Sequence, residues 1–397
     1  MKIVYYILTI LALSLVAASC AKQDTVYKEW VKEGGYIYPA KPIDVDAQRG
    51  YKRIVVKWTR PMDPSIRSAK LYWDSYTFEK EFNYADYPGG VIQAVIDGLE
   101  DRSYTFDIVN FDSDGNRSLA AEITAAPFAE SWLVSHADRS LRFAEMEGTG
   151  ARIQMGKATD EVAVTKFRYI NTSGQTVESK VYLTSDKDEI ILPDAKKWEY
   201  FEYQSAFCPA GGIDTVWTSN WIRSPYPIAT NIDNNVATVS VTANQIRENF
   251  KPELILDGIK DDGNSRWFSS NAAAYRGIFP KILVIDTKQS GSSAQTFNHF
   301  IFYQDPDPDG QTRRYIRTVN IYVSDTKFNP DNSNFLKDFG EPVIQTSLNT
   351  LEAVQEFVPE SPKAGRYIAI VFRNSYNSTG FIDLWEFEAF GYVEPNN

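Results

Sequence analysis

Four acidic or amide side chains, Asp257, Asp261, Asp262 and Asn264, fall within eight positions and share that stretch with Gly258 and Gly263. Glycine lets a short loop turn sharply, so several oxygens can be aimed at one point, and hard oxygen ligands on a flexible loop suit calcium better than magnesium or zinc. A second acidic run, Asp305-Pro306-Asp307-Pro308-Asp309-Gly310, alternates acids with proline. Proline stiffens the backbone and spaces the acids outward, which predicts a rigid exposed hairpin tip. Only 2 His and 2 Cys occur in 397 residues, too few for a zinc centre or for catalysis driven by histidine. His136 and His299 stand alone in sequence and read as structural or solvent-facing, and Cys208, between Phe207 and Pro209, as a buried small hydrophobe. Glu386 and Glu388 sit two apart on one strand and share a face, whereas glycosidase carboxylates confront each other across a cleft. There is no Gly-x-Ser-x-Gly elbow, phosphate loop or His-Glu-x-x-His pattern. No catalytic residue, no enzyme activity and no organic cofactor are expected.

At the N-terminus, Lys2 precedes an uncharged run from Ile3 to Ala18 that closes on Ala17-Ala18-Ser19-Cys20. The run is shorter than the roughly 20 residues a spanning helix uses, so residues 1–19 read as an export signal. The small residues before Cys20 resemble a bacterial lipobox, although Ala17 stands where Leu is commoner. That resemblance implies acylation of Cys20 and a membrane partner through the lipid, stable where two or more chains are attached. Cys208 is then the only thiol left, and the exported part must hold itself together by burial alone. With 41 Lys plus Arg against 52 Asp plus Glu the chain carries a net charge of −11, which repels phosphate and excludes nucleic acid as a partner.

The elements that must position any site are strands. After a polar and aromatic tether over residues 20–40, period-two alternation recurs at short spacing: Lys52 to Trp58, Ala69 to Trp73 and Ser103 to Val109, with Asp97-Gly98 and Asp114-Gly115-Asn116 as turn signals and no long helical pattern between them. An aromatic content of 14% fits such a strand-rich chain. Residues 41–128 therefore read as one β-sandwich, and Trp58, Leu99 and the Tyr104-Thr105-Phe106 strand resemble a fibronectin type III domain, where the Leu and Tyr would close the far end. Residues 129–224 repeat the pattern (Ala151 to Met155, Ala163 to Tyr169, Glu199 to Ser205) and look like a second immunoglobulin or fibronectin-like sandwich. Tyr27-Lys28-Glu29-Trp30, Gly34-Gly35 and Tyr38-Pro39, together with the first sandwich, resemble an uncharacterised lipoprotein family common in Bacteroides-type bacteria. A segment rich in Asn, Thr and Pro, residues 225–244, reads as a linker, and residues 245–393 as a third domain.

That third domain carries Asp257-Gly258 leading to Arg266-Trp267-Phe268, then Phe279-Pro280 before Ile282 to Asp286, Asn320 to Ser324, Gly365-Arg366-Tyr367-Ile368, and the closing Glu386-Phe387-Glu388-Ala389-Phe390-Gly391. It resembles the discoidin (coagulation factor 5/8 type C) domain, which includes the family 32 carbohydrate-binding modules, so the expected fold class is all-β: two fibronectin or immunoglobulin-like sandwiches followed by a galactose-binding-like jelly roll. The resemblance implies a structural calcium held by Asp257, one of Asp261 or Asp262, Ser265 and Glu386, with carbonyls near Leu254 and Trp385. It also implies that loops at one end supply a sugar site. Sugars ask for an aromatic face beside bidentate hydrogen-bonding groups, and the loops here offer Phe268, Asn271, Tyr275 and Arg276, then Arg373, Asn374, Tyr376 and Asn377, with Tyr303 and Arg313 as lesser candidates. Trp267 and Trp385 read as packing.

The expectation is a non-catalytic, lipid-anchored outer-membrane protein at the cell surface that retains a polysaccharide or host glycan through its last domain, beside outer-membrane uptake proteins. The alternative is a structural or protein-interaction lipoprotein of a nutrient-uptake complex.

Overall fold

Alternation turns into strand where one face finds a core. Along Arg53–Thr59 the side chains of Ile54, Val56 and Trp58 are buried and their neighbours are not. This strand lies between Ile43–Gly50 and Val91–Asp97 in a three-stranded sheet. A four-stranded sheet, ordered Phe78–Asn83, Ile66–Trp73, Tyr104–Asp112, Ala121–Ala125, shares its core: Trp58 meets Phe82 edge-on at 5.2 Å, and its Nε1 donates to the Tyr84 hydroxyl (3.1 Å), which donates on to Asn110 (2.8 Å). The Tyr104 hydroxyl accepts from the Glu100 N–H at 2.9 Å, closing the end of the sandwich where Leu99 is also buried.

The computed structural model describes residues 38–289, 294–305, 315–332, 334, 340–377 and 380–395, and these divide into two compact units. Residues 1–37, with the export signal and Cys20, lie outside the described residues, as do most of the Asp-Pro run and Arg313. The first unit is the sandwich above, up to Ser135, together with Gly211–Asp214. That short stretch comes from within the span expected to be the second sandwich. It is drawn back by Arg53, whose guanidinium grips Asp214 with both arms (2.8 and 2.5 Å), and by the Tyr51 N–H, which donates to the same carboxylate. Hydrogen bonding to Arg53 holds the Asp214 carboxyl below its usual range against the cost of burial.

The second unit holds two sandwiches. In the first of these, Leu141–Glu147, Gly150–Met155 and Glu189–Pro193 form one sheet, and Val162–Ile170 with Glu202–Phe207 form the centre of the other. Phe167, Phe201, Tyr203 and Ile153 fill the space between them. The rest of the chain makes a jelly roll of two five-stranded sheets. One contains Thr230–Asn231, Glu386–Tyr392, Thr296–Tyr303 and Val354–Phe357; the other runs Thr238–Val241, Lys281–Asp286, Tyr367–Ser375, Ile316–Ser324, Ile344–Ser347. The segment expected to be a linker thus supplies two strands. Its Thr238-Val239-Ser240-Val241 alternation, with both valines buried against Lys281–Asp286, outweighs a composition that reads as loop. At the far end Arg366 holds Asp286 through two hydrogen bonds (2.7 and 3.0 Å). Burial would raise that carboxyl, but the bonds from Arg366 and Lys288 outweigh it and keep it well below the usual range.

The two sandwiches of this unit are joined through buried charge. Glu145 accepts from Arg152 Nε at 3.0 Å and pairs at 2.7 Å with Nδ1 of His299, whose ring stacks on Phe143 (4.1 Å) and Phe390 (5.7 Å). Arg152 also reaches Glu356 at 3.3 Å. His299 is accordingly structural, as its isolation in sequence suggests, and His136 pairs with Glu161 at 2.5 Å.

Candidate functional site

The acidic loop begins where the short turn Pro252–Leu256 ends at Asp257 and Gly258 takes a positive φ of 81°. This is the conformation the Asp-Gly pair favours. Asp257 accepts from the Ile259 N–H (2.9 Å) and from the Ser265 hydroxyl. Glu386 comes in from the last strand, wholly buried, and one of its oxygens accepts from the Gly258 N–H at 3.2 Å. Its other oxygen has no hydrogen-bond partner among the described residues. Burial pushes this carboxyl up to about 8, opposed by the Gly258 bond and helped by the negative charge of Asp257. Two carboxylates and a hydroxyl therefore converge, with one buried oxygen unsatisfied: a donor set that a hard dication would complete.

The other acids of the loop are placed differently. Asp262 accepts from both the backbone and the side-chain nitrogen of Asn264 (2.8 and 3.1 Å) in an exposed turn, and Asp261 is exposed. Among the described residues no cluster of three or more His, Cys, Asp or Glu is close enough to hold a metal, so backbone carbonyls would have to contribute. Glu388 is taken by Lys260 (2.8 Å) and by the Tyr303 hydroxyl (2.7 Å), which also accepts from Lys260; burial raises Tyr303 to about 12.

The two loops expected to carry a sugar site meet at their bases. Trp267–Phe268 pairs with Asp383–Leu384, and Ser269 exchanges hydrogen bonds with the backbone of Ile382. Gly380 packs so closely that a Cβ there would lie 2.7 Å from the Arg276 carbonyl oxygen, and its positive φ of 76° adds to the demand for glycine. Phe268 is 6% exposed, stacked on Phe381 at 5.5 Å and tilted against Phe250 at 5.6 Å, with Arg247 over its face at 4.6 Å. Its ring supports the loop and offers no free face. Asn271, Tyr275 and Arg276 are exposed on the rim. In the second loop, Asn374 accepts from the Thr318 N–H (3.0 Å) and Asn377 braces Gly380 and Phe381, so Asn377 spends its whole amide on the fold and Asn374 its oxygen. Arg373 is exposed, and Tyr376 keeps 41% of its surface open while its hydroxyl donates to the Leu348 carbonyl.

Sequence reasoning missed the residue that shapes the first loop. Lys281 is fully buried, and its ammonium donates to Gln245 (3.0 Å) and to the carbonyls of Arg276 (3.0 Å) and Ile278 (3.1 Å). Burial pushes its pKa down to about 8, while the surrounding oxygens favour the charged form. A lysine entering the apolar run Ile282 to Ile285 was the available signal. Phe250 and Phe381, also missed, carry no spacing that points to their stack on Phe268.

Among solved structures, the chain is similar to the family 32 carbohydrate-binding module of NanJ from C. perfringens in complex with galactose: 16% identity over 41% of this chain and 99% of that one, TM-score 0.31. The C-terminal domain of a chitobiase from Bacteroides fragilis gives 15% identity, 41% and 98% coverage and a TM-score of 0.31. The SusE-like protein BT2857 gives 11%, 88% and 96%, and 0.32. No curated protein matches the sequence. Over residues 20–216 the sequence matches a family model, DUF4998, described as a domain of unknown function.

Proposed function

We propose that the protein is a non-catalytic glycan-binding protein of the cell envelope, anchored by lipid at Cys20 to the outer membrane and facing the cell surface beside uptake proteins. The carrying observation is the rim of the jelly roll: Asn271, Tyr275 and Arg276 stand exposed on a loop fixed from below by Lys281 and by the close approach of Gly380. A rigid loop that presents a tyrosine face next to a guanidinium and an amide meets what a sugar ring asks for. Tyr376 adds a second open ring. The test is a glycan array with the full chain. Binding of a neutral or amino-sugar glycan, weakened tenfold or more by Tyr275→Ala with Arg276→Ala, is expected; no bound glycan, or binding indifferent to both changes, sinks the assignment.

Calcium belongs to the same proposal, as a structural ion held by Asp257, Ser265 and Glu386 with loop carbonyls. Saturating an ion site at a hundred times its dissociation constant stabilises by about 2.7 kcal/mol. At roughly 2–4 °C per kcal/mol for a unit of this size, calcium should raise the melting temperature by several degrees. Asp257→Ala should abolish that rise, and a chelator-treated wild type that melts as it does with calcium would remove the ion from the proposal.

A further inference from the structure

A ladder of rings and cations crosses the outer face of the larger sheet in the second unit's first sandwich. Strand alternation puts Phe167 and Tyr169 in the core and sends Lys166 and Arg168 outward, as it does Glu202 beside Phe201 and Tyr203. Lys166 Nζ lies over both Trp217 (4.6 Å) and Trp221 (4.7 Å), and the Arg168 guanidinium covers Trp221 at 4.6 Å. Beyond Arg168 comes Glu202, bonded to it at 2.7 Å and opposite Arg223 in register, and the Arg223 guanidinium lies on the Tyr200 ring at 3.6 Å. Arg168, Glu202, Tyr200 and Arg223 line a groove of about 230 Å³ at this end of the ladder.

The charges on this face are not all paired. Lys166 is paired with Glu178 at 3.2 Å and Arg168 with Glu202, but the exposed Arg223 guanidinium has no hydrogen bond or ion pair among the described residues. The Tyr200 hydroxyl donates to Glu394 at 2.9 Å, so two guanidinium groups and two carboxylates stand at the groove, and what sets Arg223 apart there is its unpaired fork rather than a net positive charge. Stacking on Tyr200 holds the Arg223 fork flat, leaving its N–H edge to be met by a planar acceptor such as a carboxylate.

We propose that this face binds a uronate-bearing glycan: the sugar carboxylate pairs with Arg223 in the groove, and neighbouring rings of the chain lie along Trp221 and Trp217. The site is separate from the jelly-roll rim and does not depend on it. Electrophoresis of the full chain through gels containing polygalacturonate or neutral galactan tests it. The protein and polygalacturonate are both acidic, so general charge attraction cannot retard the one in the other. Retardation by polygalacturonate is expected, weakened at least tenfold in Arg223→Gln and in Trp221→Ala and unchanged by Tyr275→Ala with Arg276→Ala, each variant melting as the wild type does. Arg223→Lys, which keeps the charge and loses the fork, should recover only part of it. No retardation by polygalacturonate, or retardation that both Arg223→Gln and Trp221→Ala leave intact, overturns the proposal; the array result on the rim stands or falls by itself.

Discussion

Trp267→Ala should cost the second unit about 3–5 kcal/mol, the range for emptying a buried aromatic site, and lower its melting temperature by roughly 10 °C. The indole is fully buried, stacks on Phe372 at 5.5 Å and sits in the two-stranded bridge that joins the acidic loop's exit to Leu384. A marginally stable fold has about 5–15 kcal/mol in hand, so the variant stands near the threshold of unfolding. The indole N–H has no hydrogen-bond partner among the described residues, and this separates volume from polarity: Trp267→Phe should keep most of the stability. Calorimetry of both variants checks the pair, and equal losses would mean the indole is held by something other than packing.

The second large effect is expected at Glu145. Its carboxylate is nearly buried between Arg152 and His299, and truncating one partner of a buried charge pair typically costs 3–5 kcal/mol because the other charge is left uncompensated. Arg152 keeps Glu356 and Glu189 within 3.3 Å, so about 3 kcal/mol is the fitting figure for Glu145→Ala. Because Glu145 belongs to one sandwich and His299 to the other, the loss should also be visible as uncoupling: one calorimetric transition for the second unit in the wild type, two in the variant. A single transition at an unchanged temperature would show that the buried charges contribute nothing to joining the sandwiches.

Local signals were the legible ones. Alternation at Arg53–Thr59 and Val162–Ile170, the Asp-Gly turn before Trp267 and the closing Glu386 strand are each set by a few adjacent residues, and the all-β class followed from them. In the candidate site, the resemblance of the third domain names Asp257, Ser265 and Glu386 as residues to lie near one another, and the place of Tyr275 and Arg276 in a loop points to their exposure. What could not be read was pairing over distance. Glu145 meets His299 across 154 positions, and Arg53 meets Asp214 across 161. Nothing in either neighbourhood names its partner. Thr238–Val241 is hidden for another reason: four residues of alternation are too short to stand out against the Asn on both sides and the prolines before them. Phe268 reads from sequence as a free face because an aromatic in a loop looks the same there whether it is open or sandwiched.

The return of Gly211–Asp214 to the first unit has a topological consequence. The backbone passes between the two units three times, after Ser135, after Ala210 and after Asp214. No single scission can release either unit whole: a cut after Ser135 strips the first of the carboxylate that neutralises Arg53 and caps the Tyr51 N–H, and a cut after Asp214 takes strands of the second away with it. The two units cannot be shuffled like beads on a string, and the match to DUF4998, which ends at residue 216 just beyond the last crossing, spans the whole of this interlaced stretch.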